Sequence, residues 1–240
     1  GGTVAGGGET AVSGTYGASG GGKNNFATGA FSTAAGGSFV RSQAAYASAL
    51  GGLRNFSGDI GATVGGGIAN NTSGLTVNQT TGAVTGTSAE NTAGKFSVVS
   101  GGHNNDASGD NASIGGGKDN TVGSTGVFSS ISGGQYNNIN AVGSTVGGGV
   151  ANNTTGLTID QTAGTVTGTV ALVDGGKFST LSGGQNNQSL GISAVVGGGS
   201  TNKVDTGGDN SSICGGISNL IEDDAGFVGG GTTNKVYSPK

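Results

Sequence analysis

The chain has 240 residues, of which 57 are glycine and one each is proline and cysteine, with no methionine or tryptophan. Glycine is far above its usual ~7%, but it lacks a strict three-residue period and proline is nearly absent, which excludes collagen. A formal net charge of −4 with nine basic residues, none clustered, argues against nucleic-acid binding and against an electrostatic membrane partner.

No apolar run approaches the ~20 residues of a membrane-spanning helix, so no membrane contact is expected within this segment. No signal-peptide pattern is visible either, and the segment is expected to be part of a longer secreted chain. With 32% hydrophobic residues, a thick globular core cannot be filled. A core one side chain wide, extended along an axis, can be. A surface of Ser, Thr, Asn and Gly suits an extracellular or cell-surface setting.

Read from the N-terminus, residues 1–63 form divergent coils. Ser19 with Asn25 and Ala49 with Asn55 share a six-residue step, but after Gly36–Gly37 the expected asparagine is replaced by Val40. From residue 64 a unit becomes regular: a hydrophobic residue, a spacer, two glycines, two spacers and an asparagine. Its hydrophobic positions are Val64, Val99, Ile114, Ile131, Val146, Leu181, Val196, Ile213 and Val228. The asparagines six residues later are Asn70, Asn105, Asn120, Asn137, Asn152, Asn187, Asn202, Asn219 and Asn234. Self-similarity at a fixed period is the signature of a stacked repeat and outranks local secondary-structure cues.

The steps between hydrophobic positions run 35, 15, 17, 15 and then repeat, so 64–145 and 146–227 are two copies of one 82-residue block, and 228–240 begins a further repeat. Small or apolar residues two before the hydrophobic position and two after the asparagine predict short strands around the Gly-Gly turn. Each coil then reads strand–turn–strand–turn. A further glycine (Gly74, Gly109, Gly123, Gly143, Gly156, Gly191 or Gly207) is expected to close it, where the backbone needs φ > 0 or passes close to a neighbour. Coils of 15–17 residues stacked in parallel make the predicted fold an all-β parallel solenoid or roll. The asparagines form a ladder of bonded amides along the stack, or bond inward to satisfy backbone groups, or stand there because they favour turns.

The long steps hold insertions, LTVNQTTGAVTGT at 75–87 and LTIDQTAGTVTGT at 157–169. Alternating Thr, Val and Ile around Gly82 or Gly164 is a β-hairpin signature. Their apolar sides (Leu75, Val77, Val84; Leu157, Ile159, Val166) need covering. Either the hairpins pack on their own body or a neighbouring subunit, or they are ligand-contacting arms.

The units NASIG at 111–115 and SSIS at 129–132, with their Gly turn and second short strand, resemble the head repeats of trimeric autotransporter adhesins. Related GG-x-x-N arrays are similar to those of phage tail fibres and other surface fibres. The resemblance covers most of the chain and implies a left-handed parallel β-roll in a trimeric, surface-displayed binding head. The longer coils and the hairpins depart from the basic head repeat. A trimer also has a physical motive: ordering each residue costs ~1–2 kcal/mol of backbone entropy, which a thin core offsets poorly, so burial between chains is expected. Val122, Ile139, Val204 and Ile221 are candidates for the shared axis.

No catalytic, cofactor or metal site is assigned. His103 occupies a spacer with no cysteine nearby to start a zinc site, and Cys214 occupies a spacer without an activating base. Glu222–Asp224, in an enlarged turn, reads as a solvated loop before a calcium site. Phosphate-loop and calcium β-roll motifs are absent. Nine N-x-[ST] sequons, at Asn55, Asn70, Asn71, Asn78, Asn111, Asn152, Asn153, Asn187 and Asn210, matter only in a glycosylating pathway. The expected function is a non-enzymatic adhesin head whose partner is extracellular matrix or a cell-surface ligand. The alternative is a structural fibre, either a phage tail-fibre shaft or a self-assembling filament. Ice or mineral binding would need flat Thr arrays, and Thr is irregular outside the hairpins. Spacer side chains such as Lys118, Asp119, Gln135, Tyr136, Gln185, Asn186 and Lys203 form the expected binding face.

Overall fold

The computed structural model describes residues 1–77, 83–160, 162–163 and 165–237, with only the backbone of residues 76, 77 and 88. Every regular element among the described residues is a β-strand. The chain divides into two compact units, Gly1–Asp119 and Asn120–Lys240.

In the first unit, two-residue strands pair in parallel and in register: Thr3–Val4, Ala18–Ser19, Thr33–Ala34, Ser48–Ala49, Thr63–Val64, Val98–Val99 and Ser113–Ile114. Thr63 faces Val98 and Val64 faces Val99 across the hairpin insertion, so the 35-residue step leaves the stack intact. A second ladder joins Ala11–Val12, Phe26–Ala27, Arg41–Ser42 and Phe56–Ser57. The second unit repeats the scheme from Ser130–Ile131 to Phe227–Val228. Its second ladder runs through Gln188–Ser189, Lys203–Val204, Leu220–Ile221 and Lys235–Val236.

Each coil also has a third ladder of single-residue bridges, which the two-strand expectation lacked. In the first unit it passes through Gly8, Lys23, Ser38, Leu53, Ile68, His103 and Lys118, and in the second through Gln135, Val150, Gln185, Ser200, Ile217 and Thr232. The strands are short because each coil turns through left-handed backbone twice. In one coil Gly102 (φ 87°) and Asn104 (φ 54°) make the first corner and Asn111 (φ 55°) the second. Some second corners carry bulky residues that disfavour φ > 0, such as Phe31 and Tyr46. Their N–H groups donate to Thr15 and Ala30 of the preceding turn, at 2.8 and 2.9 Å, which holds the strained corner in place.

The core of each unit is built of columns of buried side chains. Val64, Val99, Ile114, Ile131, Val146, Leu181, Val196, Ile213 and Val228 are all buried. Val122, Ile139, Val204 and Ile221 are buried too, at 0% exposure within the single chain. They therefore cannot line an axis shared between chains, as the sequence reading proposed. The alternation that turns Asn120 inward turns Val122 inward as well.

Two other expectations are corrected. Gly74 and Gly156 do not close coils; they lie inside hairpin strands, at the register shifts between Ser73 and Leu75 and between Thr155 and Leu157. The turn at Glu222–Asp224 is not enlarged, because its coil spans the ordinary 15-residue step from Ile213 to Val228.

The insertions are antiparallel hairpins, Thr72–Val77 with Val84–Glu90 and Thr154–Asp160 with Thr165–Leu172. Gly82, Gly164 and Asn78 lie outside the described residues, as does the Val77 side chain. Leu75, Val84, Leu157, Ile159 and Val166 are half-buried, and Ile159 faces Val166 across the hairpin. Each hairpin is tied to its own unit at the base. Asn91 N–H donates to the Asn71 carbonyl (3.0 Å) and Val173 N–H to that of Asn153 (3.1 Å).

Candidate functional site

Stacking converts sequence period into columns, and the interior column is asparagine. In the first unit the carboxamide oxygen of Asn25 accepts the Val40 N–H, that of Asn55 the Asn70 N–H, and that of Asn70 the Asn105 N–H, at 3.0–3.1 Å. In the second unit the same bond links Asn120, Asn137, Asn152, Asn187, Asn202, Asn219 and Asn234 in succession, at 2.9–3.2 Å. Most carboxamide nitrogens donate to a glycine carbonyl four residues earlier, as Asn152 does to Gly148 at 2.8 Å. Most also reach a glycine carbonyl of the next coil, as Asn152 does to Gly184 at 3.2 Å. The column satisfies buried backbone groups at the corner, where no strand can.

This explains the second glycine of the unit. A Cβ at Gly184 would stand 2.7 Å from Asn187 Nδ2 and collide with the Gly199 carbonyl. The asparagine column and the glycine column thus require each other.

Outside, the first unit carries a distinct set of side chains at its first corner. In the first unit Asn24, Phe39 and Arg54 occupy the first left-handed corner of successive coils. Beside them Phe26, Arg41 and Phe56 are the leading residues of paired second strands. Arg54 follows Phe39 in the first column, and rings and a guanidinium alternate along Phe26, Arg41 and Phe56 in the second. Arg41 Cζ lies 5.3 Å from the Phe26 ring centroid, and Arg54 Cζ lies 5.3 Å from that of Phe39, within cation–π range. Phe56 is buried and floors the space.

The first hairpin closes one side. Glu90, the last residue of its second strand, forms an ion pair with Arg41 and accepts a hydrogen bond from Gln43 Nε2 at 3.3 Å. The result is an open groove of about 380 Å³ with Asn24 and Thr72 on its lining. Arg54 is half-buried and, among the described residues, no carboxylate pairs with it. These are the only two arginines of the chain. The sequence reading passed over them. The signal was there: two arginines 13 residues apart, close to one coil, each with phenylalanines near it.

At the second corner another column is solvent-facing. Tyr16, Phe31 and Tyr46 stack with centroids 5.1 and 5.2 Å apart and remain 48–63% exposed.

The other singled-out residues are placed separately. His103 is a half-buried bridge residue. Burial holds it below the ordinary imidazole value, with Asp119 pulling upward and Lys118 further downward. Cys214 is exposed and unbonded to another cysteine. Asp224 caps its neighbour, accepting the Asp209 N–H at 3.0 Å. Among the described residues no group of three or more His, Cys, Asp and Glu could hold a metal ion. Lys118, Asp119, Gln135, Tyr136, Gln185, Asn186 and Lys203 are half-buried. Of the sequons, Asn55, Asn70, Asn71, Asn152, Asn153 and Asn187 are buried, while Asn111 and Asn210 are exposed.

Set against known proteins, the chain matches no protein-family model and no curated protein sequence.

Proposed function

We propose that this chain is a non-enzymatic, extracellular adhesive head that presents a repeated binding face, in the manner of the trimeric autotransporter adhesin heads its repeats resemble. In this reading the coils wind left-handed and three parallel chains associate. The observation that supports it is the strict register of the outward positions. Within each unit the same coil position recurs at every turn of the stack, as Gln185, Ser200, Ile217 and Thr232 do. Stacked strands repeat at ~4.8 Å, so a partner with its own repeat engages many weak contacts together and gains avidity without a deep pocket. Association of chains uses outward first-strand positions, where Val98, Val195 and Phe227 are exposed.

The test is adhesion to matrix- and cell-coated surfaces combined with sedimentation. Deleting residues 146–227 should weaken adhesion steeply, whereas Lys203→Ala should leave it nearly unchanged. Sedimentation should report three times the 22.5 kDa chain mass. A folded monomer defeats the trimer. Abolition of adhesion by one spacer substitution defeats the repeated face, and end-to-end association without adhesion replaces it with a structural fibre.

A further inference from the structure

We propose that the Arg41–Arg54 groove of the first unit is a discrete binding site for a carboxylate-bearing sugar, such as a uronic acid unit of a surface glycan. The choice of a sugar rests on the adhesive reading above; the anionic, apolar-faced character of the ligand rests on the groove alone. The chain is acidic, with a formal net charge of −4, yet its only two guanidinium groups stand in one groove. Arg41 is neutralised by Glu90. Arg54 is not paired with a carboxylate among the described residues, which leaves the groove with one positive charge in excess.

A guanidinium presents a planar fork that matches a carboxylate bidentately, and it is less strongly hydrated than a lysine ammonium. One excess charge suits a monoanion. A bare inorganic anion would leave the rings of Phe26 and Phe39 facing water. A pyranose lays its weakly positive C–H face against an electron-rich ring face, and Asn24 and Thr72 on the lining are polar partners for its hydroxyls. The volume of about 380 Å³ falls within the ~300–1,000 Å³ of small-molecule sites. At the second hairpin, Leu172 faces Thr154 where Glu90 faces Thr72 in the first, so the acidic wall is not repeated.

Two arginines give two side-chain Nε–H signals in a proton–nitrogen NMR spectrum of the intact chain. Titration with glucuronic acid should shift the Arg54 signal saturably, in the millimolar range, while glucose should not. Arg54→Gln should weaken binding roughly tenfold or more, about 1.4 kcal/mol per tenfold, with Arg54→Lys between the two. Glu90→Gln releases Arg41 and should tighten binding severalfold, which keeps the proposal testable if an Arg54 variant misfolds. Four results would each overturn it: no saturable shift, equal shifts with glucose, unchanged binding by Arg54→Gln, or binding of benzoate but not glucuronate. A chain that adheres but ignores glucuronate defeats this site alone. One that binds glucuronate, yet adheres undiminished after block deletion, defeats the adhesive reading alone.

Discussion

Replacing Asn152 by alanine tests whether the interior asparagines hold the coils together. Asn152 is fully buried. Its oxygen accepts the Asn187 N–H at 3.0 Å, and its nitrogen lies within donating distance of the Gly148 carbonyl at 2.8 Å, Asn137 Oδ1 at 3.0 Å and the Gly184 carbonyl at 3.2 Å. Truncation strands the Asn187 N–H, a buried donor, at about 1–3 kcal/mol, and removes the Gly148 bond for about 1 kcal/mol more. The Gly184 carbonyl keeps its bond from Val150 N–H at 2.9 Å and adds little. The expected loss is therefore roughly 2–4 kcal/mol, read by native-state hydrogen exchange with Asn187 as the reporting amide. Asn152→Asp separates bonding from shape. Its carboxylate would face the Gly148 and Gly184 carbonyl oxygens and Asn137 Oδ1, a buried unpaired charge that costs several kcal/mol, so its folded-state pKa lies above the unfolded ~3.9. A raised folded pKa contributes stability that is full below the unfolded value and lost as pH rises through the folded one. The aspartate variant should thus be near alanine at acid pH and much worse at neutral pH. A loss under ~1 kcal/mol for Asn152→Ala with unchanged Asn187 protection, or a pH-independent aspartate variant, would refute the reasoning.

Gly184→Ala should lower the melting temperature sharply, since its φ of +85° and the crowding at Asn187 Nδ2 both oppose a side chain, whereas Gly215→Ala meets nothing within 4 Å and should be near neutral. Asp106, whose carboxylate accepts from Asn91 Nδ2 and Ser108 Oγ at 2.7 and 2.8 Å, should titrate above an ordinary carboxylate in a carbon-detected NMR titration. Burial raises its pKa and the two hydrogen bonds only partly oppose this. By the same linkage its contribution to stability is full below the unfolded pKa and lost as pH rises through the folded one, and Asp106→Asn should remove that slope.

The parallel stack was legible because its determinants are side chains. Val64, Val99 and Ile114 recur at a constant offset from glycine, and the 35-residue step differs from the others by the length of a hairpin. The third ladder was not legible, because it is made by backbone groups alone. Gly8, Lys23, Leu53 and His103 all serve, so no residue type marks it. Val122 and Ile139 do not reach a shared axis because they alternate with Asn120 and Asn137 along the same strands and turn inward with them. The groove was hidden for a different reason. Arg41 and Arg54 belong to different columns of different coils. Only the register of the degenerate N-terminal coils, where Val40 stands in for asparagine, brings them side by side.

The hairpins leave the stack and return to it at neighbouring residues, with Asn91 N–H bonded to Asn71 and Val173 N–H to Asn153, while Val64 and Val99, or Val146 and Leu181, close ranks beneath. The chain thereby contains ports. What is spliced into the hairpin beyond the Thr72–Glu90 pair is decoupled from the stack, whereas Glu90 itself holds Arg41 and Gln43. Lengthening such an excursion raises its closure cost only slowly, by about 0.6 kcal/mol per doubling. Foreign segments grafted there, an epitope or a small folded domain, would be carried at a fixed address on the surface without disturbing the coils on either side.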